Sequence, residues 1–367
     1  MTENIDVLIV GGGPAGLSTW LHLHQKAPVL AARSIVIEKA TYPRQKLCGG
    51  GVTRRADLTL GRLRIKIDVP AIPVHTVEVR FGSDTYYLRQ RNIFRVVRRH
   101  EFDHALALSA IKRGLRLSEN EHFCDFERVT DGVLVQTSRR VLKVRALVAA
   151  DGAKSVVRAK MRLSDKTRMS RLLEVVTPID VRGSERVTKN VAVLDFTSVA
   201  ENLQGYVWDF PCIEAGVPCV NRGVFDSRVY PNNERADLKS IFSQALQQRQ
   251  VDRPPQSWQG HPERWFSEKG IYSQANILLA GDAAGVEPAF GEGIAQALGY
   301  GDVAATTLMN AFHHQDFSFD DYRARLLAHP LGQSLKFQTR LAKKLYREGP
   351  DALAHAKKLL ARWLSPV

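Results

Sequence analysis

The chain has 367 residues, 44% hydrophobic and 25% charged, and its 52 Lys and Arg against 38 Asp and Glu give a net charge of +14 at pH 7. That length allows two or three domains of roughly 100–200 residues each, and the composition excludes disordered, collagen-like and coiled-coil chains. No apolar run reaches the roughly 20 residues of a membrane span, and no basic-then-apolar leader opens the sequence, so the expected address is cytoplasmic. Cys48, Cys124, Cys212 and Cys219 lack metal-ligand or Cys-x-x-Cys spacing, so neither a disulfide framework nor a metal is expected. The positive charge favours an anionic partner, among them a phosphorylated cofactor, a diphosphate substrate, an acidic carrier protein and a membrane surface. Nucleic acid is not expected, because no binding motif accompanies the charge.

The β-branched run Ile5–Val10 breaks into Gly11-Gly12-Gly13-Pro14-Ala15-Gly16, and Leu17, Trp20 and Leu21 then recur at helical spacing. A second β-branched run, Ser34–Ile37, ends at Glu38, about 20 residues past the turn, which is the spacing of a dinucleotide-binding βαβ unit. Gly11 permits the tight turn, Gly13 lets backbone approach a pyrophosphate, and Gly16 lets the helix close on the strand. Pro14 and Ala15 open that helix, whose free N–H groups face the phosphates. Glu38 is placed to accept from a ribose hydroxyl, with Lys39 beside it. The alternative at this point is a ligand-free glycine turn.

Three later segments extend the pattern. Val97–Asp103, containing Arg99, leads into a helix. The strand from Leu147 ends in Asp151-Gly152, and the strand from Asn276 ends in Gly281-Asp282. After it come Pro288, Gly291, Gly293 and Ile294 and a small-residue helix expected over residues 295–305. Read singly, Asp151 and Asp282 are also ordinary turn residues.

In this order the four segments resemble the FAD-binding signature of the p-hydroxybenzoate hydroxylase superfamily of flavoproteins, from Ile5 to Ala305. The resemblance implies that Arg99 lies near the phosphate or ribityl end, that Asp151 helps hold the nucleotide, and that Asp282 binds the ribityl chain. Gly291 and Gly293 then present N–H groups to the ring edge where reduced flavin gathers negative charge.

Two further segments resemble the geranylgeranyl reductase-like branch, whose members reduce carbon–carbon double bonds of isoprenoid chains. Pro43–Gly50, with Lys46, Cys48 and Gly49, is similar to its P-x-x-K-x-C-G-G segment, and Gly205–Pro211 to its G-Y-x-W-x-F-P segment. Tyr206, Trp208 and Phe210 alternate, so they share one strand face, either a substrate wall or an ordinary core. Cys48, two residues after Lys46, is either a low-pKa thiol near the flavin or a small residue in a tight loop. Cys212 stands where the branch often carries a basic residue. The proton donor is open among water, Tyr206 and Cys48.

The expected architecture is α/β (α+β overall). A Rossmann-type FAD-binding domain is formed discontinuously by 1–65, 95–165 and 270–315, a β-sheet substrate domain by 66–94 and 166–269, and a helical C-terminal segment by 316–367. The expected activity is FAD-dependent reduction of a hydrophobic prenyl diphosphate or lipid, with NAD(P)H or a ferredoxin-type carrier as external reductant. A flavin-dependent aromatic monooxygenase using NAD(P)H and O2 is the alternative. A halogenase is the weaker one, since position 206 is Tyr where that group carries Trp. Basic residues gather at Arg89, Arg91, Arg95, Arg98 and Arg99 and in the tail beyond Ser334, where Leu359, Leu360, Trp363 and Leu364 have roughly helical spacing. That tail either lies on an anionic membrane or packs by its apolar stripe.

Overall fold

The computed structural model describes residues 2–164, 168–179, 189–251, 255–347, 351–361 and 365–366. Trp363 and Leu364 lie outside the described residues. Strands Glu3–Val10, Ser34–Ile37, Arg116–Ser118, Val141–Ala149 and Ile277–Leu279 form the parallel body of one sheet. Apart from the short edge strand Arg116–Ser118, these runs are mostly buried and apolar, as strands covered on both faces must be. Helix Pro14–Lys26 and the long helix Ile294–His314 cover one face together, Ser18 donating its hydroxyl to the Leu298 carbonyl at 2.7 Å. The long helix runs well past residue 305, because Tyr300, Val303 and Leu308 continue its buried stripe.

Register explains why sequence-distant motifs meet. Val10 pairs with both Ile37 and Ala149, and Ala149 pairs with Leu279. The residues that follow each strand therefore emerge at one edge: Gly11, Glu38, Asp151 and Gly281-Asp282. The carboxyl ends of parallel strands are where ligands bind in such sheets.

The second sheet is mainly antiparallel, ordered Gln259–Gly260, Met169–Pro178, Val217–Asp226, Gly205–Glu214, Val191–Asp195, Ala71–Phe81, Asp84–Val97. Alternation along Gly205–Glu214 sorts its faces. Val207 packs toward helix Leu238–Gln248, with Val224, Ile241 and Phe242. Tyr206 and Trp208 turn to the opposite face with Phe196 and Phe225. Strand Asp84–Val97 runs unbroken through the boundary expected at residue 95, and Gly51–Thr53 pairs with it. The last segment is helical over Tyr322–Ala328, Pro330–Leu345 and Ala352–Leu360, and Ser365–Pro366 adds a short strand beside Tyr86–Tyr87. Helix Pro330–Leu345 buries Leu331, Leu335, Ala342 and Leu345, so the tail packs by its apolar stripe. No described helix is long and apolar enough to cross a membrane.

Candidate active site

The glycine turn is built as its residue types demand. Gly11 has φ +106°, where a side chain would also overlap the Ala150 carbonyl, and a side chain at Gly16 would overlap the Gly11 carbonyl. A side chain at Gly13 would face only the Arg44 guanidinium, so the chain is open there. Ala15 stands under the opposite turn, 2.6 Å from where a Gly281 Cβ would lie. Glu38 is buried and accepts from Gly12 N–H at 2.8 Å and Ala40 N–H at 3.1 Å. Arg44 lies 3.4 Å from Glu38 and 3.2 Å from Asp103. Asp103 also binds Arg99 through both oxygens, at 2.8 and 3.0 Å. Despite its burial, Arg99 is held more firmly charged by Asp103.

Asp151 spends one oxygen on the turn, accepting from Val156 N–H at 2.7 Å and Val157 N–H at 3.2 Å, while its Oδ1 is buried without a partner among the described residues. Gly152 beside it has φ +83° and open space where a side chain would stand. Asp282 Oδ1 lies 3.9 Å from where a Gly293 Cβ would be, so the two later turns face one another. Pro288 is buried in the loop that precedes Ile294, the first residue of the long helix. That loop is held by Glu287, which sequence reasoning missed. Its carboxyl accepts from Ala289 N–H at 2.6 Å, Phe290 N–H at 3.0 Å and Glu292 N–H at 2.7 Å. Burial pushes Glu287 up to about 7, against the pull of those N–H groups.

Lys46 packs half-buried against His261, and desolvation lowers both, His261 to about 3 with Lys46 adding to the effect. Lys39 is exposed. Glu174 accepts from Cys48 N–H at 3.1 Å and keeps its other oxygen buried and unpaired. The low-pKa alternative for Cys48 is corrected: burial pushes the thiol up, outweighing Arg99 and the Gly50 N–H.

On the Tyr206 and Trp208 face of the second sheet lies a cavity of about 930 Å³, near the top of the range for small-molecule sites. Gly49–Gly51 and Gly291–Gly293 border one side of it. Tyr206, Trp208 and Phe210 line it together, successive rings 6.3 Å apart, and Phe94 lies 5.4 Å from Phe210. Asp209, between them in sequence, points to the other face and pairs with Arg222 and Arg249 at 2.9 and 2.6 Å. Phe337, Arg340 and Lys344 are exposed members of the lining and mark where the cavity meets solvent; Leu359 and Leu360 close the same side. Glu263 lines the cavity as well and was not legible in the sequence.

Three arginines of the basic cluster are paired with acids. Arg95 binds Asp57 at 2.9 Å, Arg98 binds Glu214, and Arg99 binds Asp103, leaving Arg89 and Arg91 exposed.

These residues fit a flavin nucleotide. Gly13 and Gly152 leave open space at the strand-end turns, and one carboxylate oxygen each of Asp151 and Glu174 is buried with no hydrogen-bond partner among the described residues. Buried acceptors of that kind call for a donor-bearing ligand.

The sequence profile of the FAD binding domain family matches residues 4–311. Digeranylgeranylglycerophospholipid reductase 3 of Methanosphaera stadtmanae is 24% identical over 369 residues, 96% of this chain and 89% of that protein. A geranylgeranyl bacteriochlorophyll reductase-like protein of Thermoplasma acidophilum superposes with a TM-score of 0.73 at 20% identity, covering 99% of this chain and all of the other. p-Nitrophenol 4-monooxygenase PnpA of Pseudomonas putida superposes at 0.71 and 17% identity, over 98% and 94% of the two chains.

Proposed function

The chain belongs to the FAD-binding domain family, and from that footing we propose that this FAD-dependent oxidoreductase reduces carbon–carbon double bonds of a prenyl chain. The observation that carries the reading is the aromatic-walled cavity opening onto the Gly291–Gly293 turn. Relatives named as prenyl-lipid reductases support it. FAD, when bound, supplies the hydride.

The protein's own groups bind, orient and exclude water. The Gly11–Gly16 turn would take the pyrophosphate on its backbone and the N-terminus of helix Pro14–Lys26. Glu38 and Arg44 would hold the adenosine ribose and phosphate, and Asp282 with Arg99 and Lys46 the ribityl chain. The N–H groups ahead of Ile294 would stabilise negative charge on the reduced flavin. Trp208, Phe210 and Phe94 hold the alkene in a dry enclosure, while Arg340 and Lys344 at the mouth suit a phosphorylated headgroup. Exposed Phe337 beside them favours contact with a lipid surface. No second dinucleotide fingerprint is legible, so electrons come from outside, from NAD(P)H or a ferredoxin-type carrier.

The test is stopped-flow mixing of the anaerobic, dithionite-reduced holoenzyme with geranylgeranyl diphosphate. The flavin absorbance should return without oxygen. If it returns only with O2, and an aromatic substrate stimulates NADPH oxidation, the enzyme is a monooxygenase instead.

A further inference from the structure

We propose that Glu263 is the acid that protonates the substrate alkene, an assignment that rests on the reductase reading above. Glu263 stands on the short strand Glu263–Arg264, paired with Met169–Ser170, and Ser170 donates its hydroxyl to the Glu263 carbonyl at 3.3 Å. The side chain reaches the cavity at the Gly291 turn: its Oε2 lies 3.1 Å from where a Gly291 Cβ would stand, with the Phe225 ring 3.2 Å from the same point. That oxygen is buried and has no hydrogen-bond partner among the described residues.

Two other polar groups of the cavity are committed to protein partners: Tyr206 donates its hydroxyl to the Phe290 carbonyl at 2.5 Å, and Glu292 accepts from Thr53 at 2.5 Å and from Gln338 at 3.4 Å. Cys48, whose thiol burial also keeps protonated, is the rival donor, and Cys48→Ala, which should keep alkene reduction within a few-fold of wild type, separates the two. Arg340 and Lys344 are exposed.

Its surroundings also favour the protonated carboxyl. Burial pushes its carboxyl well above the usual carboxylate range, Asp282 and Glu287 push the same way, and Lys46 and Arg99 oppose them. The step balances. One alkene carbon receives the hydride and its electron pair; the π electrons take the Oε2 proton at the neighbouring carbon, so an O–H bond breaks and a C–H bond forms. The cofactor ends oxidised, and solvent water reprotonates the carboxylate.

The experiment compares wild type with Glu263→Gln and Glu263→Asp as FAD-loaded proteins. Infrared difference spectra at pH 7 should show a protonated-carboxyl band that disappears in Glu263→Gln. Glu263→Gln should retain FAD, judged by flavin fluorescence, and should slow anaerobic alkene reduction by at least ~100-fold, with part of the rate restored in Glu263→Asp. An ionised Glu263 at pH 7, or a Glu263→Gln protein as fast as wild type, overturns the assignment while leaving the reductase reading intact. A wild type that leaves the prenyl alkene untouched overturns both.

Discussion

Trp208 donates its indole N–H to the Asn221 side-chain oxygen at 2.8 Å, across the paired strands Gly205–Glu214 and Val217–Asp226. The Asn221 amide in turn donates to the Cys48 carbonyl at 3.3 Å. One asparagine thus joins the aromatic wall to the Cys48–Gly50 loop that borders the cavity. Asn221→Ala leaves a buried indole N–H unpaired and should cost about 1–3 kcal/mol of stability. Urea unfolding checks the cost, and a shift of tryptophan emission checks the loss of the indole's partner.

The six-membered ring of Trp208 lies against Gly223, so any side chain there would overlap it. Trp208→Phe should keep most of the alkene-reduction rate, whereas Trp208→Ala and Gly223→Val should each remove it by emptying or displacing the wall. Trp208→Ala also carries a cavity cost of about 3–5 kcal/mol. Single-turnover rates measured well below each variant's melting temperature separate the two effects.

Gly16→Val should abolish FAD retention, because the helix can no longer close on the turn that takes the pyrophosphate. Flavin absorbance after gel filtration measures this. Near-wild-type FAD content would show that the cofactor is held elsewhere.

Glu287 gives a pH signature. Its carboxyl is raised from the ordinary range to about 7 in the fold. The stability it contributes is therefore full below about 4.5, the unfolded value, and is lost as pH rises through about 7. Lowering pH from 8 to 5 should raise the melting temperature of wild type relative to Glu287→Gln, which lacks the titration. The differential is worth up to about 3 kcal/mol. The variant comparison removes the opposing effect of His261, which burial holds neutral.

Cys48 should alkylate slowly at pH 7 compared with a free cysteine, since burial favours the thiol. Iodoacetamide labelling with peptide mapping reads this out, and Cys48→Ala should keep alkene reduction within a few-fold of wild type. A fast-labelling Cys48 would restore the thiolate alternative.

The parts of the site legible in the sequence are those that one local segment encodes. The Gly11–Gly16 turn, Glu38 and the Gly281-Asp282 strand end each combine a β-branched run with small or acidic residues beyond it, and parallel register carries them to one edge. Alternation placed Tyr206, Trp208 and Phe210 on one face. What escaped depends on contacts between distant segments. Arg44 matters through Asp103, Asn221 through Trp208 and Cys48, and Glu263 through its approach to Gly291. Counting charge along the chain saw Lys46 near Cys48 but not the burial that outweighs it, and saw an arginine cluster but not the acids that neutralise it. Glu287 had no signal beyond its place before Pro288.

The most direct test of the account is mass analysis of a geranylgeranyl lipid recovered after anaerobic turnover with the reduced holoenzyme. The account predicts a product heavier by two hydrogens for each reduced double bond and a stoichiometric return of oxidised flavin. Recovery of unchanged lipid from an enzyme whose flavin stays reduced, or a product carrying added oxygen when air is admitted, would contradict it.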